Sequence, residues 1–433
     1  MSGRSREADT TRIHALSNGV RVVCDPVPGL RTVALVVAAG RGARWESPRE
    51  SGWSHLLEHM VFKGAAGLSA REIAEAIEAG GGQMNAETGH ERTVFHVRTL
   101  PESLDRASAL LSDILLRPDL KPTDLVRERR VVLQEIAEAE DTPDDLVFEM
   151  AQSVAFRDQP LGRNILGDVT SLARARSRTL MDWKRRIYAS DRLVIVASGA
   201  IEEAELLRLA ERDFASCEPA EVQPPAPARF TGGVKTADRS LEQANLVLLC
   251  PGLPVTDPDA WALQVFAECL GGGMASRLFQ EAREARGLAY AVDAWGEFWS
   301  DCGMVGIFAG CEAGAARELA GLCARQILEL ADRPQAREVD RARAQLKAAQ
   351  FMTAESLLSR AEQAAHQILT HGRLIPPEEI AQRIDACDMA AVRRSGARML
   401  EPGVSAAVVL GPPEAHHAAS HFVSSLRTGA STI

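Results

Sequence analysis

Near its middle the chain carries a stretch that can be neither a helix interior nor a central strand: CEPAEVQPPAPARFTGG, residues 217–233. Each of its four prolines lacks an amide proton and has a fixed φ, so it interrupts hydrogen-bonded structure, and two glycines close the run. A chain of 433 residues is in any case too long for a single hydrophobic core. The linker therefore predicts two domains, 11–216 and 234–428, joined by 217–233. The halves also echo one another. SRTLMDWKRRIYASDRLVIVASG (177–199) and DMAAVRRSGARMLEPGVSAAVVLG (388–411) both read as a helix, a break and a strand ending in Gly. RERRVVLQE (127–135) has a counterpart in DRARAQLKA (340–348).

Within the first half, β-formers come early: TRIHAL, GVRVVCDPV after an SNG turn, and TVALVVAAG. Helical patterns follow at 51–63, 69–79 and 101–116, with strand-like GGQMNAET and RTVFHVRTL between them. A long helix begins near Pro122, a residue tolerated in a first turn. Strands followed by gathered helices predict an α+β layering in each half rather than a strict β/α alternation.

Composition excludes several classes. A net charge of −10 does not suit a nucleic-acid binder, which needs basic stripes. It suits attraction of basic peptides, and equally plain solubility. No window approaches the ~20 apolar residues that span a bilayer. The opening MSGRSREADT has Glu7 and Asp9 and no apolar run behind it, so it reads as neither a signal nor a transit peptide. Eight scattered cysteines without a C-x-x-C pair read as reduced, buried thiols of a cytoplasm-like compartment.

The chemistry-bearing segment is GWSHLLEHMVFKG, with His55, Glu58 and His59 at helical positions i, i+3 and i+4. That spacing puts both imidazoles and the carboxylate on one face. Two imidazoles four apart can chelate zinc, catalytic zinc takes three protein ligands and leaves one position to water, and a neighbouring Glu can serve as general base. A pair of helical histidines beside a solvated Glu would look the same locally, so the third ligand decides. Glu128 and Glu135 lie seven apart on the later helix, two turns along one face, and taken alone they read as a solvated acidic stripe.

With Glu135 lying 76 residues after His59 on a helix reading ERRVVLQEI, the chain resembles the pitrilysin/insulinase family, which includes mitochondrial processing peptidase and its bacterial relatives. The resemblance runs over roughly 11–425. It implies that Glu135 is the third ligand of one Zn2+ per chain and that Glu128 supports the site from behind. It further implies that Asn85 and Ala86, in GGQMNAETGHERT (81–93), contact substrate backbone at an exposed strand edge. Gly89 departs from the small polar residue that relatives often carry there. In GGGMASRLFQEAREARGLAY (271–290) the resemblance assigns Arg283 and Tyr290 to the substrate, with Gly271–Gly273 as a mobile loop or a plain helix end. The second half lacks the His/Glu motif: Ala348 stands opposite Glu135 and Arg341 opposite Glu128.

The implied fold is two mixed sheets flanked by helices, facing each other as a clamshell. The implied activity is zinc-dependent cleavage of peptides or unfolded segments within an enclosed chamber. The implied state is a bacterial, cytoplasmic homodimer, with a hetero-partner as the alternative. A non-catalytic scaffold subunit and a zinc hydrolase for non-peptide substrates are the rival readings.

Overall fold

The computed structural model describes residues 11–430. The segment read above as lacking a signal peptide, residues 1–10, lies outside them.

The early β-formers become β1 (Arg12–Ala15), β2 (Arg21–Pro26) and β3 (Val33–Ala39). A two-stranded hairpin, β4 (Gly64–Ala65) with β5 (Leu68–Ser69), follows the metal-motif helix Trp53–Val61. β6 (Gln83–Thr88), β7 (Thr93–Thr99) and β8 (Leu193–Gly199) complete a sheet of order β1-β2-β8-β3-β7-β6. It is mixed: β2 and β8 run parallel and the other neighbours antiparallel.

In the second half β9 (Gly233–Asp238), β10 (Ala244–Gly252), β11 (Ala291–Phe298), β12 (Gly303–Cys311) and β13 (Ala406–Gly411) form a sheet of order β11-β12-β10-β13-β9. Here β9 and β13 are the parallel pair. Each sheet thus ends in a hairpin, β6–β7 or β11–β12. Next come the early strand β3 or β10, the late strand β8 or β13, and that late strand's parallel partner. The repeat seen in the sequence is a repeat of topology.

The linker runs without regular structure up to Gly232, and β9 begins at Gly233. Both glycines have positive φ, 69° and 136°, and a Cβ on Gly232 would lie 2.6 Å from the carbonyl oxygen of Ser405. Only glycine takes that backbone at no steric cost.

The two compact units are not the two contiguous halves. The first runs through Glu135 and adds Ile165–Pro225 and Met352–Leu374; the second is Ile136–Asn164, Ala226–Phe351 and the chain from Ile375 onward. Each half gives one helix to the other's sheet, and from equivalent places, just after the helices Pro122–Asp141 and Ala336–Thr353. In the first unit the helix Leu357–His371 sets Ala361, Ala365 and Ile368 against Val36, Ala38, Val194 and Val196. In the second the helix Pro143–Ala155 sets Val147, Ala151 and Val154 against Val247, Val408 and Leu410. Both donated helices present an i, i+4, i+7 apolar stripe, the width a sheet face can cover.

All eight cysteines are free and buried. Among the described residues no helix is long and apolar enough to cross a membrane.

Candidate active site

The helix Trp53–Val61 is fastened at its start. Gly52 caps it at φ 83°, and a Cβ there would sit 2.5 Å from the carbonyl oxygen of Leu166. The buried carboxylate of Glu46 accepts from the Gly52 and Ser54 amides at 2.8 and 2.7 Å, placing negative charge at the positive end of the helix. Leu56, Leu57 and Met60 are wholly buried, so their face locks the helix. His55, Glu58 and His59 share the half-buried face.

The helix Pro122–Asp141 brings Glu135 to that face. Its Oε2 lies 3.5 Å from His59 Nε2 and 3.8 Å from His55 Nε2, and the imidazole centroids are 4.7 Å apart. Donor atoms of these three residues all fall within 4.8 Å of one another; among the described residues no other group of three or more His, Cys, Asp or Glu does this. Tetrahedral zinc with ligand bonds near 2.0–2.2 Å has ligand atoms about 3.3–3.6 Å apart, close to the two carboxylate–imidazole distances found here. The buried Oε2 of Glu135 and Nδ1 of His55 accept or donate no hydrogen bond. A carboxylate oxygen left without a partner between two imidazoles is what a cation site requires. Burial, then the neighbouring His59, pulls the His55 pKa down to about 4, so this imidazole is neutral, the form that binds metal.

Behind the donors stands Glu128, 8% exposed. Its Oε2 is 3.3 Å from His59 Nδ1 and its Oε1 is 3.1 Å from Lys63 Nζ. A carboxylate on the far nitrogen turns the imidazole so that Nε2 faces the cation position. Lys63 was absent from the sequence-derived site, although it sits one helical turn beyond His59.

Burial pushes the Glu58 carboxyl above the ordinary carboxylate range; a hydrogen bond from Thr88 and the proximity of His59 work against this, and Glu87 and Glu135 add to it. A carboxylate raised in this way is a better proton acceptor near neutral pH. Thr88 Oγ1 donates to Glu58 Oε2 at 2.5 Å. Thr88 also went unassigned in the sequence, although it ends the quoted NAET segment.

Asn85 and Ala86 lie on β6, the edge strand of the first sheet, opposite His96 and Phe95. Asn85 is exposed and Ala86 is 8% exposed. The free backbone edge of β6 is open to pairing with an extended chain. Gly89 begins the hairpin turn, where a Cβ would meet only Arg92 O at 3.4 Å; its departure from the family pattern therefore strains nothing.

Arg283 and Tyr290 belong to the second unit. Arg283 is exposed on a π-helical segment, Phe279–Ala285, with its guanidinium 4.8 Å above the Phe279 ring. Tyr290 directly precedes β11 and is 49% exposed, its ring lying over Gly310. The other tyrosine, Tyr188, is a core residue packed edge-on to Phe95. The glycine run reads as a helix end: Gly271 closes the helix Ala260–Gly271 and is buried, where a Cβ would meet Ala294 N at 2.4 Å. Gly271 is thus fixed by packing, and only Gly273 borders open space. On the helix Ala336–Thr353, Arg341 donates to the carbonyl of Ala275, and no ligand set forms there.

Comparison with known proteins shows the family. The profile described as insulinase, peptidase family M16, matches residues 21–169, and that of the peptidase M16 inactive domain matches 177–346. An uncharacterized zinc protease of Rickettsia bellii is 33% identical over 398 residues, covering 92% of this chain and 97% of its own. A probable mitochondrial-processing peptidase subunit beta of Arabidopsis thaliana is 32% identical over 420 residues, covering 94% and 79%. In fold, a protease from Helicobacter pylori superposes with a TM-score of 0.86 at 19% identity, covering 93% of this chain and all of that one.

Proposed function

Because the chain belongs to the insulinase family, peptidase family M16, we propose that it is a zinc-dependent endopeptidase acting on peptides or unfolded segments. The observation that carries this is the convergence of His55, His59 and Glu135, with an unpartnered carboxylate oxygen among them and Glu58 on the same face. These three residues would hold one zinc per chain. When bound, zinc supplies Lewis-acid chemistry, polarising oxygen and making water more acidic.

The chain's own groups do the rest. The β6 edge pairs with the extended peptide, and Asn85 and Ala86 flank its backbone. Glu58 takes the proton from the attacking water and returns it to the leaving amine. Arg283 and Tyr290 engage the substrate, with one or other a donor to the oxygen that gains negative charge. Glu128 and Lys63 keep His59 turned to the metal.

The proposal extends to an enclosed reaction chamber, a homodimer in a reducing cytoplasm-like compartment, and a preference for basic peptides. Eight free buried thiols support the reducing compartment, and a net charge of −10 the preference for basic peptides. A scaffold role is disfavoured by the retention of all four groups, His55, Glu58, His59 and Glu135. The segment matching an inactive domain is 177–346, which contains none of them.

The test is metal analysis together with mass-spectrometric readout of a digested peptide library. Wild type should carry one zinc per chain and cleave, and chelation should abolish cleavage. Glu58→Gln should keep its zinc and lose about 10²–10⁴-fold in kcat, because the amide cannot take a proton. Cleavage by Glu58→Gln at the wild-type rate would refute the mechanism.

A further inference from the structure

A general base on a glutamate has three side-chain torsions to control, and the helix Trp53–Val61 restricts only the first. In this chain the control comes from another element. Thr88 Oγ1 donates its single proton to Glu58 Oε2 at 2.5 Å. Thr88 is 8% exposed and closes β6. The strand's alternation puts Ala86 and Thr88 on the buried face and Asn85 and Glu87 on the exposed one.

The backbone bearing Thr88 is itself held. The amide of Gly89 donates to Arg92 O at 2.8 Å, closing the hairpin. From the segment before the metal helix, the amides of Ala43 and Arg44 donate to Gly89 O and His90 O at 3.0 and 2.8 Å. Gly42 comes so close that a Cβ would lie 2.2 Å from Gly89 O. A β-branched side chain on such a backbone has little χ1 freedom, so the hydroxyl is a fixed point.

We infer that Thr88 is a positioning residue for the proposed general base: it pins one oxygen of Glu58 and leaves the other to receive the proton. This rests on the peptidase reading above. Because Thr88 ends the strand whose edge would seat the peptide, base and substrate are referenced to one rigid element.

The experiment compares Thr88→Val, which keeps the shape and loses the hydroxyl, with Thr88→Ser, which keeps the hydroxyl. Both are made in wild type and in Glu58→Gln, with zinc content and thermal midpoint measured for each. Thr88→Val should keep one zinc and lose about tenfold or more in kcat, a part of what a general base supplies, with KM within about twofold. Thr88→Ser should restore most of that rate. In the Glu58→Gln background, Thr88→Val should cost nothing further, since the group it positions is gone. Should Thr88→Val not fold, Thr88→Ala is read by the same criteria. An unchanged kcat, a loss confined to KM, failure of Ser to rescue, or an additive loss beside Glu58→Gln overturns the role. If Glu58→Gln loses its rate while Thr88→Val keeps the wild-type kcat, this inference alone fails; if wild type cleaves no peptide, the peptidase reading fails with it.

Discussion

Arg360 grips Asp25 across 335 residues of chain, with Nε 2.9 Å from Oδ2 and Nη2 2.7 Å from Oδ1. The fork joins the helix Leu357–His371 to β2 within the first unit, and Ser198 and Thr11 donate to the same carboxylate. Asp25 is 8% exposed. Burial alone would raise its pKa, but the hydrogen bonds from Arg360 and Ser198 outweigh burial and hold the carboxyl below its ordinary value. A group depressed in the folded state stabilises above its unfolded pKa, near 3.9, and that contribution is lost as pH falls through the folded value. Arg360→Met should cost about 3 kcal/mol at neutral pH by stranding a buried carboxylate. Denaturant titrations should show a smaller loss for Asp25→Asn with Arg360→Met together, and for that double variant a shallower loss of stability between pH 5 and 3 than in wild type.

The exchanged helices make a prediction about fragments. Residues 1–216 contain the proposed metal ligands but not Leu357–His371, so Val36, Ala38, Val194 and Val196 would face water. The fragment should express as an aggregate or unfold without cooperativity. Extending it with a linker and residues 352–374 should restore a cooperative transition by circular dichroism. A well-folded 1–216 would mean the donated helix is dispensable.

Lys63 and Glu128 should govern metal retention. Glu128→Gln removes the anionic support of His59, and changes of this kind typically cost 10–100-fold in metal affinity. Lys63→Met should produce a smaller loss, because Nζ acts only through Glu128. Competition with a chromogenic zinc chelator measures both, and equal affinity in Glu128→Gln would leave that carboxylate as packing only.

Arg283→Ala and Tyr290→Phe should keep full zinc and lose rate. Loss of one donor to a developing oxyanion typically costs about 10²–10³-fold in kcat. A rise confined to KM would instead mean that these residues only grip the substrate. Steady-state kinetics on one fluorogenic peptide decides between the two.

What the amino-acid order determined by itself was whatever depends on local geometry or on backbone breakers. The i, i+3, i+4 spacing is a property of any α-helix, so His55, Glu58 and His59 had to share a face once Leu56, Leu57 and Met60 buried the other. Four prolines and a glycine pair had to end regular structure between 217 and 232. Alternating and continuous β-formers had to make strands, and the repeated helix–strand endings had to repeat a topology. The pairing of Glu135 with the histidines came from a family resemblance, since nothing local draws a residue 76 positions away to a given helix.

Only the tertiary structure decided which helix covers which sheet. Stripes such as Ala361, Ala365 and Ile368 record that a helix must be buried, not against what. Proline content marks where the chain leaves one strand system for the other, and it carries no information about a helix that returns. Thr88 and Lys63 were invisible for a related reason. Each is an ordinary polar residue whose role lies in the atom it touches, Glu58 Oε2 for one and Glu128 Oε1 for the other. Those contacts exist only because the metal helix is packed against a strand 30 residues on and against a second helix 65 residues on, and packing between distant segments leaves no periodic trace in either.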